Sequence, residues 1–258
     1  MNQVGVIGAG VMGEALIAAL ISYGTAPASI TISEKRKDRA DELRTRYGIK
    51  VEDVATNVSK ADALLLVVKP QDMATVLDEI KGSINKSAVV ITFAAGKKIS
   101  FIEQGLGTGN PVVRVMPNTP TLVGAGMAAI SLGAGVSADQ SKFVSGFLAA
   151  TGKVIEVSED LQDAVTATSG SGPAYFFRFV EAMVDGAKAL GLSDADATTL
   201  TVQTIVGAAK LLDESGKSAT TLRENVTSPN GTTAAALASF ESHQLGDVVA
   251  QAMKAARD

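Results

Sequence analysis

Runs of β-branched and aliphatic residues at 4–7, 30–33, 49–51, 63–68, 89–93, 112–116, 127–132 and 153–157 have the length of strands. The run Ala63-Leu64-Leu65-Leu66-Val67-Val68 is apolar without interruption, the pattern of a parallel strand covered on both faces. Between the runs, apolar positions recur at helical spacing: Ala15, Leu16, Ala19 and Leu20; Ala40, Leu43 and Tyr47; Met73, Val76, Leu77 and Ile80; Phe143, Val144, Phe147 and Leu148. Gly24 and Gly48 stand where the first two helices should stop, and Ser100 to Glu103 has the spacing of a capping box opening a short helix. Alternating strands and helices predict an α/β fold with a doubly wound sheet of the dinucleotide-binding kind. Beyond Val157 only helical periodicity remains. The expected division is therefore an NAD(P)-binding Rossmann-type domain over 1–157 and an all-α domain over 158–258.

The first strand runs into Gly8-Ala9-Gly10-Val11-Met12-Gly13, a Gly-x-Gly-x-x-Gly stretch followed at once by a helix. Gly8 permits a tight turn, Gly10 lets the backbone approach phosphates, and Gly13 lets helix and strand pack closely. A dinucleotide pyrophosphate would rest on the unpaired amides at the helix start. At the end of the second strand, Ser33, Glu34, Lys35 and Arg36 occupy the place where such folds read the adenosine ribose. Glu34 suits a 2′-hydroxyl; Ser33, Lys35 and Arg36 suit a 2′-phosphate and outnumber it. NADP(H) is the expected cofactor, with NAD(H) as the alternative. The same four residues also read as a solvated charge run opening a helix. Lys69-Pro70-Gln71 follows the fourth strand and can line the cofactor crevice, and the small Ala94, Ala95 and Gly96 would let a nicotinamide ring lie close to the backbone.

In the helical part, Pro173 suits the first turn of a helix that is apolar on more than one face, through Tyr175, Phe176, Phe177, Phe179, Val180, Met183 and Val184. Such a helix is buried within the chain or against a second copy. Ser193 can cap the next helix and Gly216 can end it. A hydroxyl-rich turn, 226–233, then opens into Ala234-Ala235-Ala236-Leu237. Free amides at that helix start, beside Ser and Thr hydroxyls, make either a second anion site or an ordinary cap.

Composition narrows the field. The 258 residues are 46% hydrophobic and 19% charged, with a net charge of −4 and no basic stripe with interleaved aromatics, so nucleic acid is not an expected partner. No apolar run approaches membrane-spanning length, and a strand opens within a few residues of Met1, so no membrane partner and a cytoplasmic protein are expected. The absence of Cys and the single His243 leave no thiolate or histidine-cluster metal site, and His243 reads as a surface or structural residue.

Three segments together resemble the pyrroline-5-carboxylate reductases: 116–120 (Met-Pro-Asn-Thr-Pro), 169–175 (Ser-Gly-Ser-Gly-Pro-Ala-Tyr) and 226–241, following the glycine fingerprint and the Val-Lys-Pro-Gln at 68–71. The match runs in order from Met1 to near Asp258. The resemblance implies NAD(P)H-dependent reduction of Δ1-pyrroline-5-carboxylate to L-proline, the last step of proline synthesis. It further implies a homodimer formed through the C-terminal helices, with rings of dimers common in the family. Carried across by motif, Ser228, Gly231, Thr232 and Thr233 would bind substrate, with Thr233 at the ring nitrogen as the catalytic residue. Ile7, Gly8, Ala9, Gly10, Val11 and Met12 would hold the pyrophosphate, with Val68, Lys69, Pro70, Ala94, Ala95, Gly96 and Asn118 further along the cofactor. Asn230 replaces the first glycine of a pair, Val11 replaces an asparagine, and Glu34 stands where a phosphate-binding hydroxyl is common. Asn tolerates left-handed backbone, so the 228–233 loop should keep its shape.

Two other functions fit parts of the pattern. A 3-hydroxyacid dehydrogenase shares the two-domain plan but needs a lysine early in the helix after Pro173, where the first lysine is Lys188. A non-catalytic NADP(H) sensor would keep the glycines and have no use for the 228–233 turn.

Overall fold

The computed structural model describes residues 1–258. They form two compact units, Met1–Ser171 and Gly172–Asp258. The first unit runs β1 (Val4–Ile7), α1 (Val11–Ser22), β2 (Ile30–Ser33), α2 (Lys37–Tyr47), β3 (Lys50–Val51), α3 (Val54–Lys60), β4 (Ala63–Leu66) and α4 (Met73–Ile80). It continues through β5 (Val89–Thr92), α5 (Ile99–Leu106), β6 (Val112–Met116), β7 (Gly126–Leu132), α6 (Ala138–Ala149), β8 (Gly152–Glu156) and the single turn α7 (Gln162–Val165).

The strands make one eight-stranded sheet in the order β3-β2-β1-β4-β5-β6-β7-β8. Every neighbouring pair is parallel apart from β6 and β7. Side chains alternate across the pleat, so β4 sends Leu65 into one core with Leu16, Leu20, Leu43 and Phe147, and Leu64 and Leu66 into the other with Val58, Met73, Leu77 and Ile102. Helices cover both faces, and for that reason β4 reads as an unbroken apolar run. Strand order reverses at β1, which lies between β2 and β4, and a crevice opens there beyond the carboxyl ends.

One helix start differs from its sequence pattern. Ser100 does not cap α5; it lies inside the helix, and the N-cap residue Lys98 offers no side-chain bond. The cap comes from Glu159, whose Oε1 accepts the Ile99 N–H at 2.6 Å. A carboxylate from a distant segment thus takes over what the local hydroxyl was expected to do.

That segment explains where the first unit ends. After β8 the chain folds back on the sheet: fully buried Gln162 donates to Ser131 Oγ (2.9 Å) and Ala129 O (3.3 Å). Arg114 on β6, also buried, pairs with Asp163 at 3.2 Å and Glu159 at 3.4 Å. The all-helical stretch therefore begins within the first compact unit, as α7 followed by a π-helical turn, Thr166–Gly170.

The second unit is α8 (Gly172–Ala189), α9 (Asp194–Glu214), α10 (Ala219–Asn225), α11 (Thr232–Ser242) and α12 (Leu245–Arg257). Pro173 falls in the first turn of α8, Ser193 Oγ caps α9 by accepting the Asp196 N–H (3.1 Å), and Gly216 at φ +67° ends it. Phe179 and Phe240 join α8 to α11 with ring centroids 6.4 Å apart.

Candidate active site

The glycine stretch forms the turn its spacing predicts. Gly8 has φ +86°, and a Cβ there would lie 2.5 Å from Val67 O at the exit of β4, so only glycine fits. A Cβ on Gly13 would fall 2.4 Å from Gly8 O, the close approach that seats α1 on the loop. Gly10 faces open space, with no atom within 4 Å of an added Cβ. As the N-cap of α1 it supplies no side-chain acceptor. The first amides of α1 are left to an outside anion, drawn by the positive end of the helix. The cradle fits a pyrophosphate.

Glu14, in the first turn of α1, would oppose that anion if it were bare. Burial pushes its carboxyl up, but hydrogen bonds from Arg39, Tyr47 (2.9 Å) and Arg46 outweigh this and hold it below its ordinary range. Arg39 also donates from Nε to Ala9 O at 3.2 Å, and its Nη1 meets Glu42 at 2.7 Å.

Between the glycine turn and the ends of β2 and β4 lies a cleft of about 710 Å³. It brings together Ile7, Gly8, Gly10 and the four residues 33–36 with Val68, Lys69 and Gln71, the last two lining it as their place after the fourth strand predicts. Ser33 lines it, yet its hydroxyl donates to Glu52 O (3.0 Å) and accepts from Asn57 Nδ2 (3.0 Å). The Glu34 carboxylate accepts from Ala9 N (2.9 Å) and Arg36 N (3.1 Å), with Arg36 Nε at 3.8 Å. Lys35 and Arg36 are exposed and line the cleft, where they can meet a 2′-phosphate, so the residues fit NADP(H) chemistry at this end.

Pro70 opens a short 3₁₀ turn leading into α4 and does not line the cleft. Ala94, Ala95 and Gly96 follow β5 at the same edge of the sheet, Ala94 buried and Gly96 exposed at φ +69°. Asn118 follows β6, but its side chain is committed internally: Oδ1 accepts from Met127 N (2.8 Å) and Nδ2 donates to Ser169 O (3.1 Å). Val11 is exposed, Ala9 fully buried, and Met12 packs on the core.

In the second unit, Gly231 N donates to Ser228 O (3.0 Å), closing a four-residue turn with Pro229 first and Asn230 second at its centre. Asn230 takes φ +58°, the left-handed position of a type II turn that the missing glycine would have filled. Gly231 then caps α11 with no side-chain bond, leaving the amides of Thr232 and Thr233 at an open helix start. Ser228 and Thr232 are exposed and Thr233 half-buried. His243 sits at the far end of α11, exposed, its Nδ1 2.8 Å from Ser239 O, a local structural contact.

Glu14, Arg39, Asn57 and Glu159 had no place in the sequence pattern. Each acts across the fold on a residue 24 to 60 positions away, so no local spacing announces it.

Residues 159–258 match the family described as pyrroline-5-carboxylate reductase dimerisation, and residues 3–96 match the family described as NADP oxidoreductase, coenzyme F420-dependent. The chain is 42% identical to a pyrroline-5-carboxylate reductase of Corynebacterium melassecola, over 100% of its own length and 97% of the relative. Among solved structures it is similar to a pyrroline-5-carboxylate reductase from Coxiella burnetii, with a TM-score of 0.92 and 36% identity over 99% of this chain and 96% of that one. It is also similar to a Plasmodium falciparum pyrroline carboxylate reductase with NADP bound, with a TM-score of 0.88 and 29% identity over 99% and 95%.

Proposed function

This chain belongs to the pyrroline-5-carboxylate reductase family, and from that premise we propose that it reduces Δ1-pyrroline-5-carboxylate to L-proline at the expense of NADP(H). The observation that carries the reading is the match to a named reductase along the whole chain, with both anion-receptive helix starts in place. Residues 1–157 take the cofactor; residues 158–258 bind substrate and join two copies, with rings of dimers as the larger assembly. The protein works in the cytoplasm, without membrane or nucleic acid; no helix is long and apolar enough to cross a membrane.

Bound NADPH supplies the hydride that the imine carbon accepts. The chain's own work is positional. The amides that follow Gly10 hold the pyrophosphate, and Lys35 and Arg36 take the 2′-phosphate. Val68 and Lys69 and the small residues 94–96 border the rest of the cofactor, Pro70 turns the chain into α4, and Asn118 holds the exit of β6 in shape. In the second unit, Ser228, Gly231 and the amides of Thr232 and Thr233 receive the substrate carboxylate, and the Thr233 hydroxyl bonds the ring nitrogen. A protonated imine is the better electrophile, and with no acid in these motifs the proton comes from solvent. Fixing the reactants in register removes much of the barrier by itself.

The direct test is loss of NADPH absorbance with purified protein, with and without the imine. Imine-dependent oxidation yielding proline is expected, with NADH slower. Oxidation of a 3-hydroxyacid-type substrate pair instead, or NADPH binding without turnover, would overturn the reading in favour of the dehydrogenase or the sensor.

A further inference from the structure

We propose that Arg39 is a positioning residue for cofactor binding, which together with Glu34 fixes the Ala9 peptide and so aims the amides of the glycine loop. The proposal rests on the NADP(H)-dependent reading above. Ala9 is fully buried, and both of its backbone groups are taken by side chains from beyond β2. Its N–H donates to Glu34 Oε2 at 2.9 Å, and its carbonyl accepts from Arg39 Nε at 3.2 Å. Neither group is left for a ligand.

The next peptide, at Gly10, has nothing packed against the side where a Cβ would stand. The Gly10 carbonyl accepts the Glu14 N–H at 2.9 Å as the first bond of α1, so the peptide that joins Ala9 to Gly10 and carries the Gly10 amide is oriented between the helix on one side and Arg39 on the other. Arg39 is suited to the task because its planar fork has fixed directions. Nε meets the loop, Nη2 meets Glu14 on α1, and Nη1 meets Glu42 on α2 at 2.7 Å. One nearly buried guanidinium therefore ties loop, first helix and second helix together, and neutralises the one carboxylate in the first turn of α1.

Arg46 provides the control. It pairs with the same two carboxylates, Glu14 and Glu42, but is half exposed, and its hydrogen bonds go to those carboxylates and not to the glycine loop. If Arg39 merely belonged to a stabilising ion-pair cluster, loss of either arginine would act alike.

The experiment compares Arg39→Met, Arg39→Lys and Arg46→Met by NADPH fluorescence titration, by KM for each substrate, and by thermal unfolding. Arg39→Met should weaken NADPH binding about tenfold, the cost of one charge-assisted hydrogen bond to a buried group, while KM for the imine moves by less than about twofold. Arg46→Met should lower the melting temperature yet leave NADPH affinity within about twofold of wild type. Arg39→Lys, which keeps the charge but not the fork, should fall between Arg39→Met and wild type. Wild-type NADPH affinity in Arg39→Met, or equal weakening in Arg46→Met, would overturn the proposal. Should Arg39→Met not fold, as judged by circular dichroism, the Lys variant decides: affinity equal to wild type rejects the role. A wild-type protein that binds no NADPH would instead overturn the functional reading itself, and the proposal with it.

Discussion

Thr233 carries the most chemistry of any single side chain in the proposed reaction, because its hydroxyl meets the atom whose charge changes. Thr233→Ala removes a hydrogen bond to a charged nitrogen, about 1.5–3 kcal/mol, so kcat/KM for the imine should fall about tenfold to a hundredfold. NADPH affinity should hold, and Thr233→Ser should restore most of the rate. Steady-state kinetics on the three proteins checks this; a Thr233→Ala enzyme at wild-type kcat/KM would remove the residue from the mechanism. Glu34 carries a different argument. Its carboxylate lies in the cleft 3.8 Å from the Arg36 guanidinium, so a 2′-phosphate drawn to Arg36 also meets a negative charge. Glu34→Gln removes that charge and should raise the NADPH-to-NADH ratio of kcat/KM several-fold, read by running both cofactors on both proteins. A ratio that stays put would mean that Lys35 and Arg36 alone govern the choice.

Elements are held in place here by charges that reach between them. Glu159 caps α5 and partners the buried Arg114 of β6, and it does both through one carboxylate oxygen. Glu159→Ala exposes the Ile99 amide and leaves Arg114 with Asp163 alone, so it should cost about 2 kcal/mol or more in urea unfolding. Asp163→Ala, whose carboxylate is half exposed, should cost clearly less. The α1–α2 contact has a pH signature. The Glu14 carboxyl is held below its ordinary value of 4.5, so the folded state binds the proton less tightly than the unfolded chain. Its contribution is complete above that value and is lost as pH falls through the lower, folded one. Acid unfolding should thus separate wild type from Glu14→Gln most at neutral pH, with the gap closing in acid; a gap that widened in acid would reverse the sign of the argument. The same elements mark how far the sequence could be read. Burial writes itself into local pattern, so the unbroken run of β4, the helical spacing of α4, the stops at Gly24, Gly48 and Gly216 and the left-handed Asn230 were all legible. The cap of α5 was not, because Glu159 reaches it from 60 residues away. Nor could the spacing reveal that the Ser33 hydroxyl and the Asn118 amide are spent on internal bonds, or that Arg39 turns back to Ala9.

For the molecule as a whole, the second unit is incomplete as a single chain. Phe176 and Phe177 on α8 are 62% and 64% exposed, Leu190 is 89% exposed and Leu200 on α9 56%. Apolar surface on this scale is costly in water and marks an interface. Residues 159–258 match a dimerisation family, so the surface that fits this one is a second copy of the same helices. An obligate interface of that kind should make association and folding of the unit inseparable. Sedimentation should give a species of at least twice the 26.3 kDa chain, and heavier if rings of dimers form. Placing a charge at one of these exposed apolar positions, as in Phe177→Glu, should move the protein toward monomer and remove imine reduction. The glycine turn and its cleft belong to the first unit, so the variant should still bind NADPH. A variant that lost NADPH binding along with association would mean that the glycine loop depends on the assembly. One that stayed fully dimeric would place the interface on another face of the helices.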